Sequence, residues 1–398
     1  MSGKVFTVSL VFAAIAISAW ADDTPQGPKL LLNAQRLRRL KRDRERKTVR
    51  WVNFENRVNN APDSPERGFE LALYYAVTGD EAKGREAVQW ALSHNSVRQK
   101  ALILDWCAPL ISPDQKRKLE AFGVVVAGTV PGIQSVRDRW FVDIASGAEV
   151  KSPPEGFLSP RLDWLVEGRL HDPNEVYALC ELIYAIRAAT HTDLRETDPH
   201  FFSTLPSLLL LSAKPSQLNS PAWMLHAAAL ALVALDPNLP ASQFLQSWAL
   251  EDSQTLREGP GVAYELLWAD PYLPGVGYQN METWVDDDHA HLFARASWEP
   301  NSCWIAVSPQ RVEQENCPPD WQSEPVTFGR LTLIPMTDRC VEIPHLTNHN
   351  ESVLVWKVKP GEKLTHGKGK DQHTSEADAA GIWRPGANVE GKVCVVTH

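Results

Sequence analysis

Within the stretch from Leu267 to Trp304, LWADPYLPGVGYQNMETWVDDDHAHLFARASWEPNSCW, the spacing of apolar residues changes from a helical period to a period of two. Before it apolar side chains recur every three or four positions, and after it they alternate. The chain must therefore join a helical region to a sheet region rather than interleave strands with helices. Four Trp and three other aromatics sit in this stretch among turn-forming Pro, Gly and Asp. That composition suits the lining of a groove between two domains.

Ahead of the switch, six sites place Ser or Asp directly before Pro where a helical pattern begins: Ser64-Pro65, Ser112-Pro113, Ser159-Pro160, Asp172-Pro173, Asp198-Pro199 and Ser220-Pro221. Each predicts an N-cap with Pro in the first helical position, where its missing N–H costs nothing. Gln115 and Glu175 complete capping-box spacing with Ser112 and Asp172. Stripes such as Phe69, Ala72, Leu73, Ala76, Val77 and Val176, Leu179, Cys180, Ile183 face a core. The run AWMLHAAALALVAL, residues 222–235, is apolar nearly all round and predicts an inner helix. His226, its one polar residue, reads as a hydrogen-bonded core residue rather than a ligand or base. About ten helices in antiparallel hairpins fit between residues 29 and 268, an array that closes into a toroid or stays an open solenoid. Uneven hairpin spacing disfavours a short-repeat solenoid.

After Gly277, Leu292, Ala294, Ala296 and Trp298 alternate with His291, Phe293, Arg295 and Ser297, and Cys303, Ile305 and Val307 alternate with Trp304 and Ala306. Further strands are expected over 325–334, 340–343, 352–359 and 392–397, with 361–380 as a polar loop. The simplest closure is an antiparallel sheet or sandwich of roughly six to eight strands. The fold class expected is α+β, with a helical domain over 22–270 and an antiparallel β domain over 271–398. Two domains suit 398 residues, because single cores stop growing at roughly 250 to 300.

Residues 1–21 read as a secretory signal peptide: Lys4, an apolar run from Val5 to Ala19, and a small-x-small end at Ala19-Trp20-Ala21. The run is shorter than the roughly 20 residues of a membrane span. Cleavage rather than retention as an anchor is expected, leaving an exported protein, periplasmic or extracellular, without a membrane span. Export permits disulfides. Cys303, Cys317, Cys340 and Cys394 offer one or two bridges, or remain as free buried thiols; Cys107 and Cys180 lie in the helical part. No Cys/His spacing suggests structural zinc, and neither metal nor cofactor is expected.

A formal charge of −9 gives no support to nucleic-acid binding. Between Arg36 and Arg50, however, nine basic residues face only Asp43 and Glu45. That run is either a site for an anionic polymer or a solvated face of the first helix. Fifteen Trp is a high count; Trp suits sugar stacking, although most Trp residues pack in cores.

No P-loop, dinucleotide fingerprint, HExxH or GxSxG elbow is present. The run from Asp286 to His291 offers carboxylates and two His to a metal, but acidic turns between strands are commonplace and the turn is the preferred reading. Asp163 with Glu167, or Asp172 with Glu175, would make a glycosidase pair only at a fixed separation across a cleft, which spacing does not define.

Three segments, LLLNAQRLRRLKRDRERKTVRW, ERGFELALYYAVTGDEAKGREAVQWAL and LFARASWEPNSCWIAV, together resemble the heparinase II/III-like polysaccharide lyases. The resemblance covers most of the mature chain in order and character. It implies an exported α/α toroid followed by an antiparallel β domain. It also implies β-elimination at uronic-acid linkages: an Asn neutralises the uronate, Tyr or His removes the adjacent proton, and Tyr protonates the leaving oxygen. Asn219 matches the Asn because it precedes the Ala-rich helix in LNSPAWMLHAAAL, near a helix N-terminus that favours an anion; otherwise it is a turn residue. Tyr264, Tyr272 and Tyr278 are candidates for the Tyr, the latter two best placed, with packing as the plainer role. The chain departs from the pattern twice. The His-bearing motif expected after the strand pair is replaced by VEQENCPPDWQSEPVTFG, and Ser220 stands where several members have His.

The expected partner is an anionic polysaccharide or other glycan. In an active lyase Asn219, Tyr272 and Tyr278 carry the chemistry, and Arg295, Trp268, Trp284 and His289, with the basic first helix, hold substrate. The alternatives are a non-catalytic glycan-binding or envelope protein on the same scaffold, and a toroid glycoside hydrolase.

Overall fold

The computed structural model describes residues 29–121, 132–166, 172–219, 222–251, 258–286, 291–344, 351–366, 372–385 and 389–396. The signal peptide expected over 1–21 and the acidic run 287–290 lie outside them. The described chain is α+β: helices up to Trp268, then mostly antiparallel sheets. Among the described residues no helix is long and apolar enough to cross a membrane.

The helices are α1 Ala34–Glu45, α2 Val49–Asn60, α3 Arg67–Thr78, α4 Glu81–Ser93, α5 Val97–Trp106, α6 Pro113–Glu120, α7 Ile133–Ser146, α8 Ser159–Val166, α9 Pro173–Thr190, α10 Pro199–Ser212, α11 Pro215–Asn219, α12 Trp223–Leu235, α13 Pro240–Ala249 and α14 Gly261–Trp268. Several start where Ser-Pro or Asp-Pro predicts. Ser112 and Gln115 form a complete capping box, and Asp172 and Asp198 accept backbone N–H bonds as N-caps. Two starts differ. Ser64 turns its hydroxyl to Arg57 and Glu70, so α3 begins at Arg67 behind an uncapped Glu66. Glu175 is drawn from its cap position to Gln134 of α7, whose amide donates to it at 2.8 Å. Ser220-Pro221 lies outside the described residues.

The packings run α2 on α3, α3 on α5, α5 on α7, α7 on α9, α9 on α12, α12 on α14 and α14 on α2. α9 and α12 are parallel: Pro173, Ala222 and Leu225 meet at one end, and Tyr184, Arg187, Ala234 and Pro237 at the other. His226 is fully buried on α12, with Nε2 2.7 Å from the Ala249 carbonyl, the core role expected of it.

Charged side chains fill the space between α5, α7 and α9. Glu181 is 0% exposed and takes Arg98 through Nε at 2.9 Å and Nη2 at 2.7 Å, and Arg137 through Nη1 at 2.8 Å. Arg98 also reaches Glu66 at 3.0 Å. Burial works against these charges, but pairing outweighs it: Arg98, facing Glu181, Tyr264, Tyr177 and Glu66, is held well above its ordinary pKa, and Glu181 is held below its own.

Eleven strands form three sheets among the described residues. The first is β1 Trp284–Asp286, β2 Leu292–Arg295, β3 Trp304–Val307 and β4 Val312–Glu315 in sequential order. The expected strand 325–334 is a hairpin, β5 Val326–Phe328 and β6 Leu331–Pro335, turning at Gly329 with φ +58°. β7 is Cys340–Ile343, β8 Ser352–Trp356, β9 Lys363–His366, β10 His373–Glu376 and β11 Gly391–Val395. Two expectations are corrected. The polar segment 361–380 contains the β9/β10 hairpin, and β6 pairs with β8 in parallel, so the sheets are not purely antiparallel. Disulfides Cys303–Cys317 and Cys340–Cys394 close the first sheet and the β7/β11 pair, and Cys107 and Cys180 are free and buried.

Helices and sheets meet at the C-terminal end of α10. Trp304 Nε1 donates to the Leu211 carbonyl at 2.7 Å, and Arg295 Nη2 to Ala213 at 2.7 Å and Leu210 at 3.2 Å. These are carbonyls that a helix end leaves without partners. Next to them, α11 docks on β4 through Ser216–Glu315 and Lys214–Glu313.

Candidate functional site

A cleft of about 320 Å³ opens where α1 meets the C-terminal ends of α9, α12 and α14. Arg36, Arg39 and Arg42 enter it from one face of α1, at the i, i+3 spacing that aligns side chains along a helix. Tyr184 and Arg187 come from α9 with the same spacing, and Trp268 and Asp270 from the end of α14.

Arg36 is the anchor. Its guanidinium lies 4.1 Å from the Trp268 ring centroid and 4.8 Å from that of Tyr184, and it donates to the Leu31 carbonyl. That carbonyl is aimed by a tight turn in which Leu32 N–H bonds Leu30 at 2.6 Å and Leu31 takes φ +57°. A non-glycine residue there is strained, and such strain persists only where the surroundings hold it. Here Asp105 accepts the Lys29 and Leu30 N–H groups, each at 2.8 Å, and Trp106 Nε1 donates to the Leu30 carbonyl at 2.9 Å.

Arg39 donates to the Leu267 carbonyl at 2.7 Å and stands 3.5 Å from Asp270, while its buried Nε has no partner among the described residues. Burial lowers the pKa of both Arg36 and Arg39, and for Arg39 the adjacent Arg36 charge adds to it. Both remain far above neutrality as guanidiniums. Four arginines thus line the cleft against one carboxylate, Asp270. Three helix C-termini subtract roughly half a charge each and the α1 N-terminus returns as much. Asp193, 3.6 Å from Arg187, is itself held by Arg195 at 2.7 Å. A positive surplus remains, over an aromatic floor.

The buried phenol of the cleft floor is a poor base. Tyr184 is buried and its pKa is raised by that burial against the opposing Arg36 charge, which disqualifies it as a base near neutrality.

The residues expected from sequence scatter around this cleft. Trp268 forms its floor, 1% exposed, with Nε1 donating to the Tyr177 hydroxyl at 2.9 Å. Tyr272 is 84% exposed, between Asp270 and Leu273 at the cleft edge. Asn219 ends α11 at the opposite end of the helical layer, between Gln217 and Ala222, and its side chain lies outside the described part. Leu225 and Ala234, at the two ends, are nine residues apart on α12, about 14 Å of helix. Asn219 and Tyr272 therefore do not share one sugar ring. Tyr278 is at the Asn219 end: it stacks edge-on against Trp298 at 5.6 Å, and Arg295 lies 4.3 Å over that same Trp298. Burial raises the Tyr278 pKa, with Glu251 adding to it.

Arg295 is corrected from a substrate contact to a joint between helices and sheet. It is 1% exposed, its Nη2 is spent on carbonyls, and burial lowers its pKa to about 10. Trp284 is half-buried on β1 against the sheet core, and His289 lies outside the described residues. The segment 312–329 that lacks the expected His supplies Glu313 and Glu315 to the docking of α11. Among the described residues no cluster of three or more His, Cys, Asp or Glu is arranged to hold a metal.

The sequence reading missed Tyr184, Arg187 and Asp270. Trp268, expected to hold substrate, and the basic run that contains Arg36, Arg39 and Arg42 are the parts of the cleft visible in the sequence. Compared with models of known protein families and with curated proteins, the chain finds no match.

Proposed function

We propose that the chain is an exported, non-catalytic binder of an anionic glycan on a scaffold of the heparinase II/III type, with the arginine cleft taking a uronate or sulfate group. The observation that carries this reading is the convergence of Arg36, Arg39, Arg42 and Arg187 over Trp268 and Tyr184. Guanidinium forks match planar and tetrahedral oxyanions, and the aromatic floor suits a sugar face. A toroidal scaffold is supported by the succession of helix packings, which starts at α2 and returns to it through α14. Export is supported by two disulfides in the sheets and by the signal-like start.

Binding is favoured over elimination because Asn219 and Tyr272 occupy opposite ends of the helical layer. One observation favours a second reading, elimination at the helix–sheet junction: Tyr278 stands at the same end as Asn219. Calorimetric titration with a heparin-type oligosaccharide decides. The binder takes it up with affinity that falls with salt, forms no ultraviolet-absorbing unsaturated uronate, and loses about tenfold or more in affinity on Arg39→Ala. Equal affinity for a neutral maltooligosaccharide sinks the reading. An unsaturated product abolished by Tyr278→Phe replaces it with the lyase.

A further inference from the structure

A second cavity, of about 250 Å³, lies between α10, α12 and α13. Its inner wall is apolar: Phe202 and Pro206 of α10, Leu232 and Leu235 of α12, and Leu239 just before α13. Two polar groups belong to residues of that wall. Ser242 is 0% exposed and its Oγ has no hydrogen-bond partner among the described residues. The Phe202 carbonyl loses its regular helical partner because Pro206, one turn further along α10, has no N–H. An unpaired hydroxyl in a core is destabilising, and alanine would remove the penalty. The serine is explained if a ligand group meets it.

The mouth carries charge of the opposite sign from the arginine cleft. Asp193, Glu196 and Asp236 stand there with a single guanidinium, Arg195. Arg195 is consumed by Asp193 at 2.7 Å, Asp236 at 3.4 Å and the Leu235 carbonyl at 3.0 Å. Arg187, in the neighbouring cleft, reaches Asp193 at 3.6 Å. One carboxylate is left in excess.

We infer that this cavity binds a small aliphatic amino alcohol. The ligand hydroxyl enters first, donating to the Phe202 carbonyl and accepting from the Ser242 O–H. The hydrocarbon lies against the leucines, and the ammonium remains at the mouth among the carboxylates. This inference does not rest on the glycan reading of the arginine cleft, although Asp193 at the mouth pairs with Arg187 of that cleft.

Calorimetric titration of the full chain with 6-amino-1-hexanol, hexan-1-ol and 6-hydroxyhexanoate tests it. The amino alcohol is expected to bind, hexanol about fivefold or more weakly, and the hydroxy acid not measurably, since it places a carboxylate among carboxylates. Ser242→Ala should raise the melting temperature while weakening the amino alcohol about five- to tenfold, two effects of opposite sense that a merely structural serine does not produce. Ser203→Trp, at a half-buried position of the lining, should fill the mouth and abolish binding with the fold retained. No heat with the amino alcohol, equal affinity for all three probes, or unchanged affinity in Ser242→Ala overturns the assignment.

Discussion

Arg36 lies 4.1 Å from the indole centroid of Trp268, and that indole donates to the Tyr177 hydroxyl at 2.9 Å. The cleft floor is thereby tied to the central ion cluster, because Arg98 Nη2 reaches the same hydroxyl at 3.4 Å. A cation stacked on a desolvated indole gains about 2 kcal/mol. The anchor is therefore held in place before any ligand arrives.

Arg36→Lys separates geometry from charge. Lysine keeps the positive charge but loses the planar stack and the fork, so affinity for a sulfated oligosaccharide should drop about tenfold with an unchanged salt slope. Arg42→Ala, at an exposed position, should cost only about two- to threefold yet flatten the slope. Titrations at three salt concentrations read both, and identical behaviour of the two variants would refute a preorganised anchor.

Glu181→Gln leaves Arg98 and Arg137 buried without their shared carboxylate. Removing one member of a buried ion cluster costs roughly 3–5 kcal/mol, and urea unfolding should show a loss of that order with the slope preserved. Glu66→Gln touches only Arg98, at a more exposed edge, and should cost about 1 kcal/mol or less. Equal losses in the two variants would show that the cluster is not centred on Glu181.

Much of the helical part was legible because its signals are local. Ser112 with Gln115, and the stripe through Phe69, Ala72 and Leu73, are read from a few adjacent residues. The β9/β10 hairpin escaped because His373–Glu376 is exposed along its whole length, so no alternation marks it. The parallel β6/β8 pair joins strands that are not neighbours in sequence, a relation no short window contains. Arg36 was seen only as part of a basic run. Its burial depends on Tyr184 and Trp268, which lie far away along the chain, and buried arginines are rare enough that composition argues against one.

Removing each disulfide should rank by loop length. Cys340–Cys394 spans 54 residues and Cys303–Cys317 spans 14, so chain entropy assigns about 4 and about 3 kcal/mol to them. Double Cys→Ala variants measured by urea unfolding should follow that order. Neither variant should weaken oligosaccharide binding, because the arginine cleft is built wholly from helices and their ends.

Two buried groups make opposite contributions to stability in mild acid. Burial raises the Asp105 pKa from 3.8 to about 6, so the folded chain holds that proton more tightly than the unfolded one. Its contribution to stability is fully present below about pH 4 and is lost as pH rises through 6. Burial lowers the His226 pKa below 6.5, so the unfolded chain takes up that proton first and stability falls as pH drops below 6.5. The two slopes oppose one another just below pH 6. Asp105→Asn retains an oxygen for the Lys29 and Leu30 N–H groups but removes the titration. It should gain about 1–2 kcal/mol over wild type at pH 8 and then lose stability more steeply than wild type between pH 6.5 and 5. Urea midpoints across this range check both signs; parallel wild-type and variant profiles would show that Asp105 does not titrate there.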